Sequence, residues 1–222
     1  MKLAEVSTNR LFTPDFTDQL MPTTPSSRRR FVTGLAFGAW GGAGAVKLAE
    51  KINQGPAPAP PSPAAAKLDH ARYMRLAIDQ AKLAPSVPFG AVIVDAPTGN
   101  VLAVGHNHTK DNPTFHGEMD AINNLAAKQV VTDWSPLVLY TTAEPCAMCQ
   151  SAVEWAGLGM VVFGTSTPFL TSIGWWQIGL RAEEVIRQTP FRRTALLGGV
   201  LAEECNPLFQ TEATAAYRKR KT

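Results

Sequence analysis

Apolar positions along the chain change their period several times, and each change marks an element. Between residues 67 and 84 they fall at Leu68, Tyr73, Leu76, Ala77, Ala81 and Ala84, a recurrence that gathers them on one side of a helix. Pro85 and Pro88 stop it. Phe89–Asp95 is an apolar run rich in β-branched residues, so a strand, and Val101–Gly105 is a returning strand. Pro97-Thr98-Gly99-Asn100 between them is a turn, so the pair reads as a hairpin. Asn107–Phe115 is a polar loop. A helical pattern then runs from His116 to about Gln129, and short apolar runs at Pro136–Thr142 and Gly159–Gly164 flank a second helix from Pro145 to near Gly157. Residues 165–180 show no sustained period and read as loop, residues 181–188 as a short helix, Thr194–Leu201 as a fifth strand, and the chain from Ala202 as a polar helix.

Strands that alternate with helices pair in parallel, and a hairpin pairs antiparallel. The pattern therefore predicts an α/β domain, a three-layer α/β/α arrangement around a mixed five-stranded sheet.

The first 66 residues are of another kind. Ser27-Arg28-Arg29-Arg30-Phe31-Val32-Thr33 precedes an uncharged, glycine-rich run that Lys47 ends. An arginine pair before a short, weakly apolar stretch resembles a twin-arginine export signal, and Ala43-Gly44-Ala45 offers a cleavage site. Residues 1–45 are thus expected to be a signal region that directs the protein to the periplasm; without a functional leader it would stay cytoplasmic. The signal normally starts close to its arginines, which makes Met21 a candidate start. The run of 16 residues is short of the ~20 mostly apolar residues of a spanning helix, so no stable membrane span is expected. Residues 55–66 read GPAPAPPSPAAA, and five of the 17 prolines lie within positions 56–63. Residues 46–66 are therefore expected to be a semi-rigid linker, and residues 67–222 the folded domain.

Charge sharpens this division. Residues 1–66 carry seven Lys/Arg against four Asp/Glu, whereas residues 67–222 carry 14 of each. The folded part has no excess positive charge, which argues against a nucleic-acid partner gripped by its backbone. Three cysteines make no disulfide framework.

Candidate chemistry sits in two short stretches, His116-Gly117-Glu118 and Pro145-Cys146-Ala147-Met148-Cys149. One imidazole and two thiols suit Zn2+, and a catalytic zinc site keeps three protein ligands with a fourth position for water. Cys146 and Cys149 project from one face of a helix whose positive end favours thiolates. Glu118 is roughly 200° round a helix from His116, so both face one ion only if His116 lies in the first turn or cap. His116, Cys146 and Cys149 are then the metal ligands, and Glu118 is left as the catalytic proton shuttle. The alternatives are a structural zinc knot or a redox dithiol; a closed structural site needs a fourth ligand, for which only Cys205, His70, His106 and His108 remain.

The ordered set H-x-E…P-C-x-x-C is the signature of zinc nucleobase deaminases. Residues 67–210 resemble the cytidine and deoxycytidylate deaminase superfamily, in the branch of tRNA adenosine deaminases and guanine deaminases. Pro88–Val94 and Ala152-Val153-Glu154-Trp155-Ala156 are similar to the guanine enzymes. Val161–Gly164 and Gly199–Cys205 look more like the tRNA enzymes, and Gly105-His106-Asn107 with Asn112-Pro113-Thr114 resembles both. The resemblance implies hydrolysis of a ring amine with release of ammonia, and a homodimer. It also suggests a substrate-binding role for the Asn107 amide, and the Ala147 backbone N–H, beside the cysteines, is a candidate to hold a ring carbonyl or nitrogen. Phe89 is a candidate for stacking on the ring, as are Trp155, Trp175 and Trp176, although core packing explains each alone. Glu144 suits a loop brace, His106 and His108 read as loop histidines at the pocket mouth, and Cys205 as a buried thiol.

Two departures stand out. Gly117 replaces the alanine usual in that branch, as in fungal cytosine deaminases, and residues 165–193, which in the family help close the pocket, match neither group. The expected substrate is a small nucleobase or nucleoside of guanine, cytosine or adenosine type. tRNA adenosine deamination is the nearest alternative, for which the basic Arg218–Lys221 cluster speaks. A non-catalytic zinc-binding interaction module is the alternative of another class.

Overall fold

The computed structural model describes residues 55–191 and 193–219; the Arg28–Arg30 leader lies outside them. The elements run α1 (His70–Ala81), β1 (Gly90–Asp95), β2 (Val101–His106), α2 (Gly117–Lys128), β3 (Leu137–Ala143), α3 (Ala147–Ala156), β4 (Met160–Thr165), α4 (Thr167–Ser172), α5 (Ala182–Gln188), β5 (Ala195–Gly198), α6 (Ala202–Cys205), a 3-10 turn (Asn206–Gln210) and α7 (Glu212–Lys219).

The five strands form one sheet in the order β2-β1-β3-β4-β5. The β1-β2 hairpin is antiparallel and β3-β4 and β4-β5 are parallel, as the alternation of elements predicts, and β1 also pairs antiparallel with β3. Successive side chains on a strand point to opposite faces, and here both faces are covered. Tyr73, Met74, Ala77 and Ile78 of α1 pack on Val92, Val94, Val138, Tyr140 and Val162, joined by Cys205 of α6. Ala121 and Leu125 of α2 and Val153 of α3 pack on Ala91, Ile93, Leu137, Leu139 and Val161. That double burial is why the central strands are continuous apolar runs rather than alternating ones.

Four segments differ from the sequence expectation. Ala65 is buried in the core and residues 65–67 make a 3-10 turn, while the Gly55 carbonyl accepts from Arg187 Nη1 at 3.0 Å. The proline-rich stretch therefore has contacts with the domain at both its ends. Residues 165–180 contain α4, which Ser166 caps by accepting the Phe169 N–H. The helix is too short to show a period, though Ser-x-Pro at its start is a capping signal. β5 is shorter than expected: the chain turns out of the sheet at Gly199 (φ 80°) and Leu201 (φ 50°). The expected C-terminal helix is broken into three pieces at Pro207 and Thr211. Among the described residues no helix is long and apolar enough to cross a membrane.

One close approach governs the geometry of the site. α2 lies so near β2 that a Cβ on Gly105 would sit 2.3 Å from the Ala121 nitrogen and 2.5 Å from the Gly117 carbonyl oxygen. Gly117 in turn lies against the Phe89 carbonyl, where a Cβ would come within 2.4 Å of the oxygen. The departure from alanine at position 117 thus has a steric reason. Gly105→Ala is expected to lower stability by about 1–3 kcal/mol, the range for overpacking a filled interface. Denaturant unfolding checks this, and an unchanged midpoint would contradict the packing described.

Candidate active site

Two helices begin at the same place, and the residue that begins each is a candidate ligand. His116 is the N-cap of α2 (φ −72°, ψ 164°) and Cys146 the N-cap of α3 (φ −64°, ψ 166°). Neither caps its own helix through its side chain. His116 at the cap is the position its spacing from Glu118 required. Pro145 stands just outside the helix rather than in its first turn. Cys149, in the first turn of α3, is buried.

The His116, Cys146 and Cys149 donor atoms all lie within 4.8 Å of one another, with Cys146 Sγ 3.7 Å from His116 Nδ1. A tetrahedral ion with Zn–N about 2.0–2.1 Å and Zn–S about 2.3 Å sets such atoms about 3.6 Å apart. The spacing and the donor chemistry both fit zinc. Their mutual interaction moves the two thiols in opposite directions. Cys146 is drawn down to about 4, chiefly by the hydrogen bond from Cys149 and further by His116, although burial opposes this. Cys149, as the donor, is pushed up by that bond and by burial.

Glu118 faces the same group from α2. It is 2 % exposed, and its Oε1 accepts from Thr141 Oγ1 of β3 at 3.3 Å. Its Oε2 is buried with no hydrogen-bond partner among the described residues. Burial raises its pKa above the ordinary carboxyl value, and the neighbouring Cys146 charge adds to this, while His116 pulls the other way. A buried carboxyl with one oxygen anchored and the other unengaged is suited to exchanging a proton with a molecule brought to it.

The ligand group opens onto a cavity of about 390 Å³, lined by His116, Cys146, Asn107, Phe89, Trp176 and Gln177 among others. That volume lies at the lower end for small-molecule sites, about 300–1,000 Å³. Asn107 Oδ1 accepts from Thr109 N–H at 3.0 Å and from Thr109 Oγ1 at 2.7 Å. The carbonyl end is thereby engaged, and the amide presents its nitrogen as a donor. Phe89 lines the cavity and also packs on Trp175 (5.4 Å between centroids) and Phe209 (5.0 Å). Trp175 lines it too but is buried, while Trp176 is half exposed. Ala147 stands between the lining residues Cys146 and Met148, as the first residue of α3. Trp155 is elsewhere, exposed and paired with Phe191 at 5.1 Å.

Comparison with known proteins agrees with this geometry. Residues 67–165 match the cytidine and deoxycytidylate deaminase zinc-binding region. The tRNA-specific adenosine deaminase of Rickettsia felis is 33 % identical over 145 residues, covering 62 % of this chain and 95 % of the relative. The chain belongs to the cytidine and deoxycytidylate deaminase family. The cytosine deaminase of Candida albicans is 35 % identical over 107 residues, 46 % of this chain and 70 % of the relative. Among solved structures, guanine deaminase from Nitrosomonas europaea shares the fold with a TM-score of 0.55 at 23 % identity, covering 84 % of this chain and 99 % of that one.

Sequence reasoning missed several cavity residues of this family member. Gln177, Tyr217 and Arg218 line it, yet they lie 28 or more positions beyond Cys149 in segments without a periodic signal. Tyr217 stacks on Trp175 at 5.9 Å, and Arg218 donates to the Phe209 carbonyl at 2.8 Å. The C-terminal helix is therefore part of the cavity wall. Thr141, which anchors Glu118, reads in the sequence only as part of a strand.

Glu144 is the brace beneath this wall. Its carboxylate is buried and accepts from Arg181 Nε at 2.8 and 3.0 Å, the Thr167 N–H at 2.9 Å and the Ala182 N–H at 3.1 Å. It joins the strand that precedes the cysteine helix to the starts of α4 and α5. Glu144→Gln removes the charge while its partner Arg181 is half exposed and can be solvated. A loss of about 1–3 kcal/mol is expected, the penalty for leaving buried donors poorly matched. Thermal and denaturant unfolding of the variant measure it; wild-type stability would show that the brace is dispensable.

Proposed function

We propose that the protein hydrolytically deaminates a small nucleobase or nucleoside and releases ammonia. The observation that carries this is the convergence of His116, Cys146 and Cys149 beside a buried, half-anchored Glu118 at the floor of a base-sized cavity. His116, Cys146 and Cys149 would hold Zn2+, which when bound supplies an activated water at neutral pH and stabilises negative charge developing on it.

The chain's own groups do the rest. Glu118 takes one proton from the attacking water to the ring nitrogen and then carries the remaining hydroxyl proton to the leaving amine, so that water and the ring amine become a ring carbonyl and ammonia. Thr141 holds Oε1 and thereby directs Oε2. The Asn107 amide nitrogen donates to a ring carbonyl or an unprotonated ring nitrogen. Phe89 and Trp176 flank the flat ring, and the Ala147 N–H is among the unpaired donors at the start of α3.

Glu118→Gln is expected to keep its bound zinc while turnover falls by about 10²–10⁴-fold, the usual contribution of a positioned acid–base group. Metal analysis together with ammonia release reads both quantities. Chelation should abolish activity and added Zn2+ restore it.

The resemblance to the Rickettsia felis enzyme over 95 % of its length keeps one second reading in view, deamination of adenosine in tRNA. Purified protein is to be assayed for ammonia from guanine, cytosine, adenosine, cytidine and a tRNA. Release from a small substrate is expected. Release from the tRNA alone would select the second reading, and release from none would leave a non-catalytic zinc module.

A further inference from the structure

A second group of metal-ligating side chains lies outside the three-ligand site. His106 ends β2, His108 follows it by two residues, and Asp120 comes from the first turn of α2. One donor atom from each lies within 4.8 Å of the others, as do the donor atoms of His116, Cys146 and Cys149. Two further features make this more than a chance cluster. His108 Nε2 is 3.4 Å from Asp120 Oδ2, longer than the 2.7–2.9 Å or so of a charge-assisted hydrogen bond. It equals the separation of about 3.4 Å between a nitrogen and an oxygen bound tetrahedrally at about 2.0–2.2 Å.

The outer contacts are also those of a ligating set. Asp120 Oδ1 accepts from Asn124 Nδ2 at 3.2 Å, and Oδ2 from the His106 N–H at 3.0 Å. These contacts fix the carboxylate and leave it lone pairs for an ion. His108 Nδ1 lies on the side away from Asp120, with the exposed Asp111 Oδ2 at 3.9 Å, beyond hydrogen-bond distance.

We infer that His106, His108 and Asp120 form a second metal site for a divalent transition ion of the zinc, nickel or copper class. Two imidazoles with one carboxylate select these ions over calcium or magnesium, which prefer all-oxygen shells. Residues i and i+2 of an extended chain share a side, so the ion ties together the two neighbours of Asn107. That residue lines the cavity, and the second ion is a positioning element for it, whichever base is taken.

Cobalt titration of the metal-stripped full chain tests this. Thiolate ligation gives an intense charge-transfer band, whereas a nitrogen–oxygen site gives none. The wild type is expected to bind two Co2+ per chain, only one contributing to that band. His108→Gln should bind one and keep the band. Asp120→Asn, read the same way, serves if the His108 variant does not fold. One equivalent in the wild type, or two in a folded variant, overturns the second site, and the band reports the thiolate site independently.

Discussion

The seating of α2 against the sheet is the contact on which the rest depends. Two glycines make it possible: Gly105 leaves room for the backbone of α2, and Gly117 for the carbonyl of Phe89. With a side chain at Gly105 the helix would stand further out, and His116 would move away from the cysteines with it. A metal site tolerates little of that, because its ligands must converge within a few tenths of an ångström of fixed bond lengths. The stability of the helix–sheet interface and the geometry of the chemistry are thus one constraint seen from two sides.

The same seating places groups of different character around one point. The N-terminal ends of α2 and α3 meet there, and their partial positive charge favours thiolate at Cys146. The sheet contributes Thr141 from its centre, where β3 is covered on both faces and a hydroxyl must find a partner. Glu118 supplies that partner and is itself buried by the arrangement, which holds its proton more tightly than water would. A carboxyl that is reluctant to ionise and has one oxygen unengaged is the consequence of packing, not of any feature of Glu118 alone.

Around this rigid floor the cavity wall is assembled from late parts of the chain. Glu144 gathers the starts of α4 and α5 by accepting from their backbone N–H groups and from Arg181. The loop beyond α4 then brings Trp175, Trp176 and Gln177 over the floor, and α7 closes the side with Tyr217 and Arg218. Family likeness fixes the floor. Much of the wall comes from residues beyond 165, past the stretch that matches the family's zinc-binding region.

How much of this was legible before folding follows from the range of each signal. The sheet, its mixed pairing and helices α1 to α3 were readable because double burial writes continuous apolar runs and one-sided packing writes a helical period. The grouping of His116, Cys146 and Cys149 beside Glu118 was readable because H-x-E and C-x-x-C are local spacings with a chemical meaning, and the cap position of His116 followed from helix geometry. Other features left no local trace. The engagement of Asn107 by Thr109, the burial of Glu118 against Thr141, the glycine contacts across β2 and α2, and the joining of His106 and His108 to Asp120 all involve which side of an element faces which neighbour. Position along the chain determined the donors. Only the tertiary structure decided their separations and surroundings, because proton affinity and metal geometry depend on distances between elements that the order of residues does not specify.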